Sequence, residues 1–154
     1  MVTSDDAAYS WEAKLHGIDR FDKCPNGLPG VEARVPMLYS EGVATGRLSL
    51  PHFVELVSTT PARLFGLAPQ KGSLTPGADA DIVLFDPNAK WTMGQETLHM
   101  GADWSAYEDI EVKGKIAKVF SRGELIVDGE ECLAEKGRGR YIHRSLQAGN
   151  KITS

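Results

Sequence analysis

Near the start of the chain stand two adjacent carboxylates, Asp5 and Asp6. A carboxylate can ligate a cation or carry a proton, so this pair is the first candidate for chemistry. The second is the run Cys24-Pro25-Asn26-Gly27-Leu28-Pro29-Gly30-Val31-Glu32-Ala33-Arg34. Its prolines fix φ and its glycines permit positive φ, so it reads as a shaped loop rather than a helix or strand. Loops of fixed shape on a rigid scaffold are where binding groups sit. For Asp5 and Asp6, elementary physics also offers a plainer use, because acids at the start of a helix stabilise its N-terminus.

The other chemistry-bearing residues are scattered. His16, His52, His99 and His143 form no pair at the one-, three- or four-residue spacing of local metal ligands. Each is read as a packing or surface residue. GxSxG, P-loop and GxGxxG patterns are absent. The string Gly77-Ala78-Asp79-Ala80-Asp81-Ile82-Val83 carries two acids. A turn whose aspartates satisfy backbone N–H groups before a strand explains them better than a cation site.

Composition narrows the class. At 154 residues the chain is about one domain, and 42% hydrophobic with 25% charged residues is ordinary for a soluble globular protein. A net charge of −4 argues against nucleic acid or an anionic membrane as partner. The basic run Lys136-Gly137-Arg138-Gly139-Arg140 is read as a solvated tail. Cys24 and Cys132 form neither a CxxC pair nor a disulfide framework, so a reducing cytoplasm is expected. No apolar run approaches the ~20 residues that span a bilayer, and the acidic first residues are unlike a secretory signal.

The positioning elements fall into a helical part, up to about residue 68, and a strand part, from about 71 to 133. Short helices are expected from Ala7 to Leu15 and from Val31 to Glu41, the latter stopping near Gly42. Another runs from Leu50 to Ser58, with Ser49 as N-cap and Pro51 in its first turn. Thr60-Pro61 opens a further helix that Gly66 ends. Strands are expected over Asp81 to Asp86, closed by Pro87-Asn88, and over Lys90 to Met93. Two more, Ile116 to Ser121 and Glu124 to Asp128, form a hairpin across Arg122-Gly123, with a last strand from Cys132-Leu133. Helices followed by few, short strands indicate an α+β layout.

The strings Pro25-Asn26-Gly27 through Gly30-Val31-Glu32-Ala33-Arg34 and Leu38-Tyr39-Ser40-Glu41-Gly42-Val43 resemble the D-hydantoinase and dihydropyrimidinase group of cyclic amidohydrolases. Ser58-Thr59-Thr60-Pro61-Ala62-Arg63-Leu64-Phe65-Gly66-Leu67 and Lys71 to Val83 fit the same group more loosely. The resemblance reaches to about Tyr141 and covers only the C-terminal part of the family pattern. It implies the last strand–helix portion of a TIM barrel over residues 1–70, with a substrate loop at 24–34. It further implies β-sandwich strands over 71–134 and a C-terminal arm over 135–154.

Family members hold two metal ions, usually zinc, and open a cyclic amide (a hydantoin or dihydropyrimidine) hydrolytically to an N-carbamoyl amino acid. Carried over, Asp5 is the catalytic aspartate and metal ligand, and Asn26 contacts the substrate's ring amide. The family's usual Asp-His is here Asp5-Asp6. The His-x-His pair, the lysine and the remaining histidine ligands have no counterpart in this chain. One aspartate cannot hold a dinuclear centre, so the chain alone is expected to bind no zinc and to be inactive. Helix faces carrying Leu38, Phe53 and Leu56 are expected to be exposed and to favour association with a second copy or a full-length homologue. A non-catalytic structural or oligomerisation module, or a truncated gene product, is the alternative reading.

Overall fold

The structure, a computed structural model, describes residues 1–144; the end of the expected arm, residues 145–154, lies outside them. Four short α-helices precede a four-stranded sheet. They are α1 (Trp11–Leu15), α2 (Arg34–Leu38), α3 (Leu50–Val54) and α4 (Thr60–Leu64). The strands, in sheet order, are β1 (Ile82–Met93), β2 (Ile110–Ser121), β3 (Glu124–Asp128) and β4 (Glu131–Cys132). The helices-then-strands order matches the α+β expectation.

The chain forms two compact units. The loop unit comprises Val2–Phe53 and Asp86–Lys115, and the hairpin unit Val54–Phe85 with Ile116 onward and Met1.

In the loop unit, Ser10 caps α1 by accepting from Ala13 N at 3.2 Å. The expected helix from Ala7 is therefore shorter, and Asp5 and Asp6 are not its caps. Pro36 sits in the first turn of α2, where a missing N–H costs nothing. A π turn over Tyr39–Val43 prolongs α2 through Gly42, so the helical stretch runs two residues past the expected end at Glu41. Ser49 Oγ accepts from His52 N at 3.3 Å, as an N-cap does.

Met93 and Val112 from the sheet and Ala33 from the loop bury one another, with Met37, Trp91, Tyr107 and Ile110 packed around them. Phe53, expected to be exposed, is buried and meets the Tyr39 ring edge-on, centroids 5.9 Å apart; such a pair adds about 0.5–1.5 kcal/mol to burial. Leu38 is half-buried too. In this unit the exposed large apolar residues include Trp11, Ile18 and Phe21.

In the hairpin unit, Arg122 and Gly123 both take positive φ, +53° and +81°. That is the turn a two-residue hairpin requires, and β2 and β3 pair antiparallel as expected, Ser121 opposite Glu124. Gly66, at φ +68°, stops α4. A π turn over Glu55–Thr59 leads into α4, and Leu56 there is half-buried.

Pro87 does not end a strand. β1 runs through it, merging the two expected strands. β1 is a sheet edge, where a proline without N–H is tolerated. Asp86 Oδ1 accepts from Asn88 N at 2.8 Å and Ala89 N at 3.3 Å, satisfying the local backbone. Two strands are 12 residues long, so the sheet is larger than the short-strand pattern suggests. Arg138 is not solvated: its Nη2 donates to Ser121 O and to Glu124 Oε2, each at 2.9 Å.

Candidate functional site

Asp6 and the loop meet directly. A single parallel bridge pairs Asp6 with Leu28, and Ala7 N donates to Leu28 O at 3.2 Å. The Asp6 carboxylate Oδ1 accepts from Gly30 N at 2.6 Å and Val31 N at 3.0 Å. These two N–H groups belong to the turn that leads into α2, so Asp6 clamps that turn from more than twenty residues earlier in the chain.

Three further contacts fix the loop. Lys14 Nζ donates to the carbonyl oxygens of Pro25 and Gly27, the latter at 2.6 Å. Its ammonium also lies 5.4 Å from the Tyr9 ring centre and 5.9 Å from that of Trp104, while Trp104 Nε1 donates to Tyr9 O at 2.7 Å. Glu32 Oε2 accepts from His99 N at 2.6 Å, and its Oε1 lies 2.7 Å from His99 Nδ1. Arg34 Nη1 donates to Val2 O at 3.0 Å.

Glycine is needed at two places in the loop. Gly27 has φ +110°, and a Cβ there would lie 2.4 Å from Ala7 Cβ. A Cβ on Gly30 would meet the Tyr107 hydroxyl at 3.0 Å. The second half of the loop is therefore interior structure, with Pro29, Gly30 and Ala33 buried. In the first half Asn26 is exposed between half-buried Pro25 and Gly27.

Asp5 is exposed and takes φ +48°, a left-handed conformation that aspartate tolerates better than most residues. Neither its carboxylate nor the Asn26 amide has a hydrogen-bond partner among the described residues. The Asp6–Leu28 bridge brings their two segments side by side. The two candidate residues are thus polar and exposed, on segments joined by backbone pairing. Sequence reasoning missed the roles of Asp6, Lys14, Glu32 and His99. Glu32 and His99 are 67 residues apart, and no local pattern announces such a pair.

Among the described residues, no three His, Cys, Asp or Glu side chains assemble as metal ligands. The described residues do not by themselves fit a metal centre. Asp79 and Asp81 are not a cation site either, since both pair with Lys71, Asp79 at 2.8 Å. Asp81 Oδ1 accepts from Arg122 N at 2.8 Å, tying the turn to the hairpin. The Lys71 hydrogen bond, then that of Gln70, lowers the pKa of Asp79. Burial tends to raise that of Asp81, but the hydrogen bonds from Lys71 and Arg122 N prevail and lower it. Burial pulls the Lys71 pKa down, yet the two aspartates outweigh it and hold it above its ordinary value.

Known proteins are similar to this chain. The chain is 46% identical over 145 residues to a D-phenylhydantoinase of Escherichia coli O1:K1, covering 94% of this chain and 32% of that protein. Its fold superposes with a TM-score of 0.91 on D-hydantoinase from Bacillus sp. AR9 at 44% identity. The score is also 0.91 on dihydropyrimidinase from Brevibacillus agri at 43% identity. In both cases 94% of this chain and 32% of the solved one are covered. The chain thus spans about a third of the length of the relatives it matches. Residues 22–126, from just before the shaped loop through most of the β2–β3 hairpin, match the Amidohydrolase family, and the chain belongs to that family.

Proposed function

We propose that this chain supplies the C-terminal part of a hydantoinase-type cyclic amidohydrolase, whose reaction opens a cyclic amide with water to give an N-carbamoyl amino acid. In this reading residues 1–70 are the end of a TIM barrel, 71–134 belong to a β-sandwich and 135–154 form a C-terminal arm. Asp5 is the proton-carrying carboxylate and contributes one ligand to a metal centre, zinc in the family, whose other donors lie beyond these residues. Asn26 hydrogen-bonds the ring amide of the substrate. The family metal would polarise the amide and activate water. The described residues of this chain do not by themselves fit such a centre.

The observation that carries the reading is the bridge between the Asp5-Asp6 segment and the loop. It joins the segment that carries one unpartnered carboxylate to the loop that carries an unpartnered amide. A carboxylate can move a proton and a carboxamide can read an amide edge. The two unpaired cysteines support a cytoplasmic setting, and none of the described helices is long and apolar enough to cross a membrane.

The test replaces the matching third of the Escherichia coli D-phenylhydantoinase with this chain and follows ring opening of a hydantoin. Turnover is expected from the chimera. It should be abolished by Asp5→Ala, while Asn26→Ala should raise KM. A chimera indifferent to Asp5→Ala refutes the assignment. The chain alone, with zinc or manganese added, is expected to be inactive.

A further inference from the structure

Asn26 stands between two carbonyl groups that a single ammonium holds. Lys14, on α1, donates from Nζ to Pro25 O and to Gly27 O, the latter at 2.6 Å. Pro25 O belongs to the peptide plane that carries the Asn26 N–H, and Gly27 O to the plane that follows Gly27. Between these planes the soft dihedrals are φ and ψ of Asn26 and of Gly27. Tethering both planes to one nitrogen closes a ring over those dihedrals and removes most of their freedom.

The lysine is itself held in place. Lysine side chains are seldom enclosed unless paired, and Lys14 is half-buried. Its partners are the two carbonyls and the faces of the Tyr9 and Trp104 rings, which attract a cation. Trp104 Nε1 in turn donates to Tyr9 O, and Asp103 Oδ1 accepts from Trp11 N at 2.8 Å, at the first turn of α1. Three separate stretches of the loop unit therefore fix one ammonium beneath one exposed asparagine.

Resting on the reading above, in which Asn26 hydrogen-bonds the ring amide, we propose that Lys14 is the positioning residue of Asn26. It acts through Asn26 rather than by touching the substrate. It sets the peptide units on either side, so the ordering of this part of the loop is complete before the substrate arrives and does not weaken binding.

The first experiment is nuclear magnetic resonance of the isotope-labelled 154-residue chain. In the parent, the Lys14 ammonium protons should exchange with water more slowly than those of exposed Lys23. Equal exchange overturns the proposal without any variant. Lys14→Met keeps an apolar stem and removes the donors. Backbone order parameters at Asn26 and Gly27 should then fall from about 0.85 to below about 0.6. Those at Gly30 and Val31, which Asp6 holds, should stay as in the parent. Unchanged order at Asn26 overturns the proposal. So does an equal fall at all four residues, because Lys14 then supports the whole loop and not Asn26.

The second experiment uses the chimera with the Escherichia coli D-phenylhydantoinase. Lys14→Met should raise KM about three- to tenfold, the size of one lost hydrogen bond. Its kcat should stay within about twofold, the split expected when binding common to ground and transition state is removed. Added to Asn26→Ala, Lys14→Met should raise KM by less than about twofold more, because the residue it positions is already gone. Effects on KM that multiply overturn the proposal, as does a fall in kcat with KM unchanged. A chimera without turnover, or one whose KM ignores Asn26→Ala, counts against the proposed function instead. The relaxation of this chain then decides the clamp on its own.

Discussion

Gly27→Ala is the sharpest test of how the loop is built. The position has φ +110°, and a left-handed backbone costs an L residue about 1–2 kcal/mol. The new methyl would lie 2.4 Å from Ala7 Cβ and 3.0 Å from Ala7 O. Real Cβ atoms do not approach a neighbour as closely as the first of these, so Ala7 must move. Moving it breaks the hydrogen bond from Ala7 N to Leu28 O, worth about 1 kcal/mol. Together these give a loss of roughly 2–4 kcal/mol, a large share of the 5–15 kcal/mol of a typical domain. The assay is urea unfolding read by the three tryptophans, two of which, Trp11 and Trp104, meet with tilted rings 5.8 Å apart beside the loop's lysine clamp. Adding Ala7→Gly removes the methyl–methyl collision but not the backbone strain. The double variant should therefore recover about 1 kcal/mol relative to additivity. A Gly27→Ala protein within about 0.5 kcal/mol of the parent, or strict additivity with Ala7→Gly, would show that the loop does not rest on Ala7.

Two further outcomes follow from the packing and the charges. Met93 is 1% exposed at the centre of the loop-unit core, so Met93→Ala should cost about 2–5 kcal/mol in denaturant unfolding. Lys71 with Asp79 and Asp81 should give a pH signature. Aspartates held below their ordinary 3.8 stabilise the fold above that pH, and this is lost as pH falls through the lowered folded values. A lysine held above 10.5 stabilises the fold below that pH, and this is lost as pH rises through the raised folded value. Between the two limits the contribution is flat. Lys71→Met should lower stability across that plateau and flatten both limbs, and stability curves that stay parallel to the parent's at both extremes refute the coupling.

Much of the local structure was legible in the residues. Ser49 as a cap, Pro51 and Pro61 in first turns, Gly66 as a stop and Arg122-Gly123 as a hairpin turn all act within four residues of themselves. Backbone sterics and capping bonds at that range are encoded almost wherever the residues occur. The shaped loop was legible for the same reason, because its prolines and glycines limit φ one residue at a time. Pro87 misled because a proline breaks a ladder only where its N–H is needed, and at the edge of this sheet it is not. Phe53 misled because its partner, Tyr39, lies on another helical stretch of the same unit.

The sequence by itself determined many of the segments that turn, curl or extend, and it marked Asp5 and Asn26 as candidates for chemistry. Tertiary structure decided which distant residues hold those segments in place. It turned Asp6 from a neighbour of Asp5 into the clamp on Gly30 and Val31, joined Glu32 to His99 across 67 residues, and left Arg34 Nε enclosed and unpaired. The physical reason is range. Local conformational limits depend on one residue and its near neighbours, whereas a hydrogen bond between distant residues exists only after the intervening chain has folded and brought donor and acceptor within about 3 Å.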